Sequence, residues 1–170
     1  MAVFDFSDRF MASKGAPITH GDKTLILMDE WPARLGEHFL VTIETTDSKY
    51  PQGVGVCEGV EIFGMREKLA VVWEYFSLPP EQRTHRKSQL PFSFEVVCRN
   101  KKGYLRFYNM SEVQGRQERH NRGSCMYAVD IAEGGRRYFC NDFDPDDDFN
   151  DLVFSIVRVP GPSPGGSRRQ

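Results

Sequence analysis

No apolar run in the sequence approaches the ~20 residues that a membrane-spanning helix needs. There is no Cys-x-x-Cys pair, which argues against a structural zinc site of the usual spacing. No internal repeat is found. The first ten residues hold no basic stretch followed by an apolar core, so no secretory signal is visible and a cytoplasmic or non-classically exported protein is expected. A mature chain without its signal would read the same. Helical periodicity is also scarce. Residues 29–36 suit one turn, with Pro32 early and Gly36 at its end. Residues 77–88 read as an exposed loop with one turn.

What remains is β. Residues 23–28, 38–46, 55–63, 68–76, 92–98, 103–108, 125–131, 137–140 and 151–159 are short, apolar or alternating, and rich in β-branched and aromatic residues. The run 68–76 reads as the strongest buried run. Two hairpins are expected, 92–98 with 103–108 and 125–131 with 137–140. Such strands at regular spacing predict an all-β antiparallel β-sandwich, jelly-roll or Greek-key, over residues 1–159. The Pro- and Gly-rich residues 160–170 have the composition of a flexible tail. Cys57 and Cys98 lie in apolar runs and read as buried thiols. Cys125 and Cys140 flank one hairpin and could pair in an oxidising compartment; reduced thiols are the default.

The net charge of −2 conceals an uneven distribution. Asp142, Asp144, Asp146, Asp147, Asp148 and Asp151 put six acids into ten residues, and without them 18 acidic residues face 22 basic ones. Carboxylates this crowded raise one another's pKa unless a cation neutralises them. The alternation Asp142, Asp144, Asp146, Asp148, followed by Asn150 and Asp151, suits Ca²⁺, which takes six to eight oxygens. Mg²⁺ keeps more of its waters, and no His or Cys is present for Zn²⁺. An EF-hand fails. Counting from Asp142 puts Asp147 at the glycine position and Val153 at the glutamate position; counting from Asp144 puts Phe149 and Ser155 there.

The segment Asp146-Asp-Asp-Phe-Asn-Asp-Leu-Val-Phe-Ser-Ile156 resembles the D-x-D-[FY]-N-D-[hydrophobic]-V signature of bacterial calcium-binding β-sandwich modules. These include the two-calcium fucose/mannose-binding lectins and carboxylate-rich modules of large secreted proteins. The resemblance implies Asp146, Asp148, Asn150 and Asp151 as calcium ligands. Asp142 falls where the lectins place a glutamate, and Phe143 where they place an aspartate that Asp144 would replace. In the lectins sugar hydroxyls bind the calcium directly, which would make Asp146, Asp148 and Asn150 sugar-facing. The lectins also use a terminal carboxylate, whereas this chain runs on past that point.

Other candidates are weaker. His20, His38, His85 and His120 share no spacing, and Ser124 lacks a G-x-S-x-G frame. The basic stretches 83–87, 99–102, 116–122 and Arg136-Arg137 read as solvated loops. No nucleic-acid partner is expected, because the pI is about 6.1 and the acidic loop opposes a polyanion. Trp31, expected in a loop, is the aromatic candidate for stacking on a sugar. The expected function is a non-enzymatic, Ca²⁺-dependent carbohydrate-binding module, monomeric or homo-oligomeric. The alternative is a calcium-stapled structural or self-assembling protein. An enzyme using the site ranks third.

Overall fold

A computed structural model describes residues 5–83 and 87–160. The expected tail from residue 161 onward, and His85, lie outside the described residues. The strands are β1 (Ile18–His20), β2 (Lys23–Leu25), β3 (Asp29–Pro32), β4 (His38–Thr46), β5 (Gln52–Ile62), β6 (Met65–Trp73), β7 (Phe92–Cys98), β8 (Tyr104–Val113), β9 (Arg116–Glu118), β10 (Cys125–Asp130), β11 (Arg136–Asn141) and β12 (Leu152–Val159). One α-helix, α1 (Ser7–Ala12), precedes them. Among the described residues no helix is long and apolar enough to cross a membrane.

The fold is the expected antiparallel β-sandwich. One leaf runs β10-β11-β12-β4-β7, and the other holds β6, β5 and β8, with β3 and β9 both against β8. The leaves join where β5 leaves β8 after Cys57 and pairs with β7 at Val60 and Glu61. Strand alternation supplies the core. On β4, Phe39, Val41 and Ile43 point in, and on β12, Leu152, Phe154 and Ile156 do. They meet Val54 and Val56 of β5 and Leu105 and Phe107 of β8. The Phe39 and Phe107 rings from opposite leaves stand 6.2 Å apart. Gly55 is required by this packing: a Cβ there would fall 2.2 Å from the Tyr108 ring.

A second, smaller core closes one end. Helix α1 and the β1-β2 ribbon bring Phe6, Phe10, Ile18 and Leu25 against Cys125 and Phe149.

Four local expectations are corrected. Residues 29–32 form strand β3 rather than a helical turn, because they pair with Tyr104–Phe107 of β8. Residues 92–98 and 103–108 are no hairpin: β7 pairs with β4 and β5, β8 with β5, β3 and β9, and the link between them crosses from leaf to leaf. The run at 68–76 is not the most buried strand. Met65 to Leu69 of β6 are exposed, and only Val72 and Trp73 are buried. Cys57 is half-buried; the other three cysteines are buried, and all four are free. Register explains why Cys125 and Cys140 stay apart. Cys125 pairs with Asn141 and Cys140 with Met126, so the two thiols point to opposite faces. The hairpin β10-β11 itself is as expected.

Tyr138 ties the leaves through polar atoms. Its buried hydroxyl accepts the Trp31 indole N–H at 2.7 Å and donates to the Asp29 carboxylate. Tyr138→Phe leaves both groups short of a partner, and should lower unfolding free energy in urea by about 1–3 kcal/mol with an unchanged m-value.

Candidate metal centre

The acidic loop spans residues 142–151, between the end of β11 and the start of β12. Its shape is set by two anchors that carry no charge. Phe149 turns its ring into the smaller core, 2% exposed, with Phe6 at 6.2 Å and Tyr127 at 5.3 Å between ring centroids. The turn that aims it there has φ of 53°, which costs a non-glycine residue some strain. Asn141, fully buried, clamps the loop across its middle. Its Nδ2 donates to the Asp146 carbonyl at 2.6 Å and its Oδ1 accepts the Phe149 N–H at 2.8 Å. The loop backbone also rests directly on Gly123, where a Cβ would meet the Asp144 carbonyl at 2.3 Å.

Asp151 sits at the mouth of β12, before regular pairing begins. It is 5% exposed, its Oδ2 accepts the Asp142 N–H at 2.9 Å, and its own N–H donates to Cys140 at 3.1 Å. Asp146, half-buried, and Asp148, exposed, come to it. One carboxylate oxygen from each of Asp146, Asp148 and Asp151 lies within 4.8 Å of the others. The Oδ1 of Asp146 is shielded from solvent and has no hydrogen-bond partner.

Burial and crowding both act on this trio. Burial, then the neighbouring carboxylates, push Asp151 up to about 8. Burial and the Asp148 charge push Asp146 up to about 6. Burial also raises Asp142.

The other expected ligands, Asp142, Asp144 and Asn150, and the adjacent Asp147 have hydrogen-bond or ionic partners of their own. The Asp142 carboxylate takes the Ser48 hydroxyl, the Asp144 N–H at 2.9 Å and Gln52 Nε2 at 3.4 Å. Asp144 faces Lys49 at 3.1 Å and the Tyr50 hydroxyl at 3.2 Å. Asp147 faces His20 at 3.5 Å. Asn150, exposed, reaches toward Asp47 Oδ2 at 3.5 Å. Asp47 was not anticipated. It stands on the β4-β5 loop, over a hundred positions away, and its N–H donates to the Asp151 carbonyl at 3.1 Å. Asn141 was also missed, although an Asn that ends a strand before an acidic run is a recognisable loop-clamping signal. Trp31 is a correction. It is 3% exposed, lies in the main core and spends its N–H on Tyr138, so no sugar can stack on it.

These features define an antiparallel β-sandwich carrying an oxygen-rich, carboxylate-lined loop. No protein-family model and no curated protein matches the chain. Among solved structures it is similar to the Chromobacterium violaceum lectin CV2L, solved in complex with alpha-methyl-fucoside. The identity is 15%, the match covers 80% of this chain and 97% of that one, and the TM-score is 0.40. A likeness at that level assigns neither function nor residues.

Two outcomes are expected of the metal-free protein. Asp151 and Asp146 have folded-state pKa values above those of the unfolded chain, so protonation favours the fold. That contribution is complete below about pH 4 and is lost as pH rises through about 6 and then about 8. Melting temperature measured in EGTA should therefore fall between pH 5 and roughly pH 8.5; a flat or rising profile contradicts the crowded trio. Phe149→Ala removes a buried ring and should cost about 3–5 kcal/mol in urea unfolding.

Proposed function

We propose that the 142–151 loop is the calcium site of a calcium-dependent, non-enzymatic carbohydrate-binding module. The observation that carries the calcium reading is the meeting of three carboxylate oxygens within 4.8 Å, one residue of which keeps a buried oxygen without a partner. An oxygen-only donor set with carboxylates in excess suits Ca²⁺ over Zn²⁺. A bound Ca²⁺ would supply the positive charge that lets Asp146 and Asp151 ionise, and coordination positions for hydroxyl oxygens. Asp151 and Asp146 form the floor and Asp148 the rim. Asn141 and Phe149 hold them in place without touching the ligand.

Two features support the sugar reading. The loop sequence resembles that of the sugar-binding modules, and Asp148 and Asn150 stand on the exposed side of the trio. Beside them lies a cleft of about 410 Å³, whose walls include Asp47, Lys49, Tyr50, Glu74 and Tyr75. The β4-β5 loop is shared between cleft and metal site: Asp47 is near Asn150, and Lys49 and Tyr50 hold Asp144. A saccharide with hydroxyls at the trio has room there for a further ring, with Tyr50 and Tyr75 in the lining.

Addition of Ca²⁺ should raise the melting temperature and EGTA reverse it, with Mg²⁺ much weaker. At a hundredfold excess over Kd the stabilisation should be about 2.7 kcal/mol. Identical melting curves with Ca²⁺ and with EGTA refute the calcium assignment. On a glycan array, binding should disappear in EGTA and in Asp148→Ala. A calcium-dependent melting shift with no calcium-dependent glycan signal would assign the ion a purely stapling role.

A further inference from the structure

The bulge in β5 gathers a second set of charges, of opposite sign. Register between β5 and β6 slips between Cys57 and Val60, and the two residues in the slip, Glu58 and Gly59, have φ of 95° and 98°. There β5 leaves β8, its partner through Cys57, and takes β7 from Val60. A strand that changes partner opens a gap between the partners it exchanges. The 99–103 connection crosses that gap, pinned by the Arg99 N–H to the Gly59 carbonyl at 3.0 Å.

A cleft of about 660 Å³ lies here. Its wall carries Lys68 from β6, Arg99 and Lys102 from the 99–103 connection, Arg106 from β8 and Arg119 from beyond β9; Glu58 is the one carboxylate lining it. Three of these cations have acidic partners. Glu58 takes Lys102 at 2.6 Å and Arg106 at 3.3 Å, Arg106 also meets Glu30 at 3.4 Å, and Arg99 Nη2 meets Glu61 at 3.3 Å. Two cations lack an acidic partner. Neither Lys68 nor Arg119 forms an ion pair with a described residue, and Arg119 lies 5.0 Å over the Tyr108 ring. Arg99 Nε is shielded from solvent and has no hydrogen-bond partner, although Nη2 of the same guanidinium is satisfied.

A cleft lined by five cations and one carboxylate, with Lys68 and Arg119 lacking an acidic partner, matches a tetrahedral oxyanion: several oxygens, each accepting a charge-assisted hydrogen bond. The cleft is far larger than one such group, within the range that holds a small organic molecule. We propose that this cleft binds the phosphate or sulfate ester of a small molecule, held by Arg99, Lys68 and Arg119. It is independent of the acidic loop and of any calcium there. Arg99 and Lys102 of the stretch 99–102 and Arg119 of 116–122 thus meet at one cleft.

Cys57 lines the same cleft and is half-buried, whereas the other three cysteines are buried, so it can report occupancy. The full chain is alkylated with iodoacetamide, a neutral reagent, in EGTA so that calcium plays no part. Pyrophosphate, a hexose 6-phosphate, a hexose 6-sulfate and the unmodified hexose are compared as protectants, and binding is measured by calorimetry. Both esters should slow Cys57 alkylation and the unmodified hexose should not. Tighter binding of the phosphate ester or of the sulfate ester identifies the source. Lys68→Gln with Arg119→Gln, both at exposed positions, should weaken ester binding about tenfold or more. Glu58→Gln should strengthen it, since it removes the opposing charge. Unchanged alkylation with both esters overturns the proposal. So does equal affinity in the Lys68/Arg119 double variant. Binding of heparin without binding of any ester also overturns it, because that marks diffuse charge rather than a pocket.

Discussion

Everything in the acidic loop depends on holding carboxylates closer than they would choose. Two unit charges 4.8 Å apart repel by roughly 3–4 kcal/mol at an effective dielectric constant of about 20. Burial of the Phe149 ring returns about 1.5–3 kcal/mol. Against three fully ionised carboxylates that anchor loses, and the chain does not try to win. Burial and crowding instead push Asp151 up to about 8 and Asp146 up to about 6. The loop is therefore built around a crowded carboxylate trio where, on the calcium reading proposed above, a divalent cation would compete with protons. Phe149, Asn141 and Gly123 fix the backbone so that the competition takes place on prepared ground.

The sequence spelled out the parts governed by local rules. Strand β12 with its inward row, the β10-β11 hairpin, the sandwich class and the unusual loop all follow from alternation, turn residues and charge density. Phe149 as an apolar residue inside a polar run is legible in the same way. The failures share one cause. Residues 92–98 and 103–108 are near in sequence with a turn between them, and nothing local says that they lie in different leaves. The 68–76 run reads as the strongest buried run, yet β6 is an edge strand: Val72 and Trp73 are buried as expected, while Lys68 and Leu69 are exposed. Trp31 reads as a loop residue beside a single helical turn, and only its pairing with Leu105 makes it core.

The candidate metal site shows the same boundary. Alternating aspartates were all plausible ligands on spacing. The β4-β5 loop divides them: Ser48 and Gln52 draw Asp142 away, and Lys49 and Tyr50 draw Asp144. Asp47 arrives from the same loop. A partner from a distant strand decides which carboxylates meet, and no pattern within ten residues encodes that choice. The basic cleft is likewise assembled from four separate segments around one strand slip, which composition registered only as a balanced charge.

The exposed half of β6 has a consequence for solubility. It is an edge strand, and its unpaired backbone invites a second copy of itself. Residues opposed across an antiparallel pair share a face, so a two-fold copy must be centred on a residue rather than between two. Centred on Glu67, it sets Glu67 against Glu67 and Arg66 against Lys68. Centred on Arg66 or on Lys68, it sets that cation against itself. Every self-pairing centred on this triplet places like charges face to face, so the open hydrogen-bonding groups of β6 are guarded by the order of three side chains.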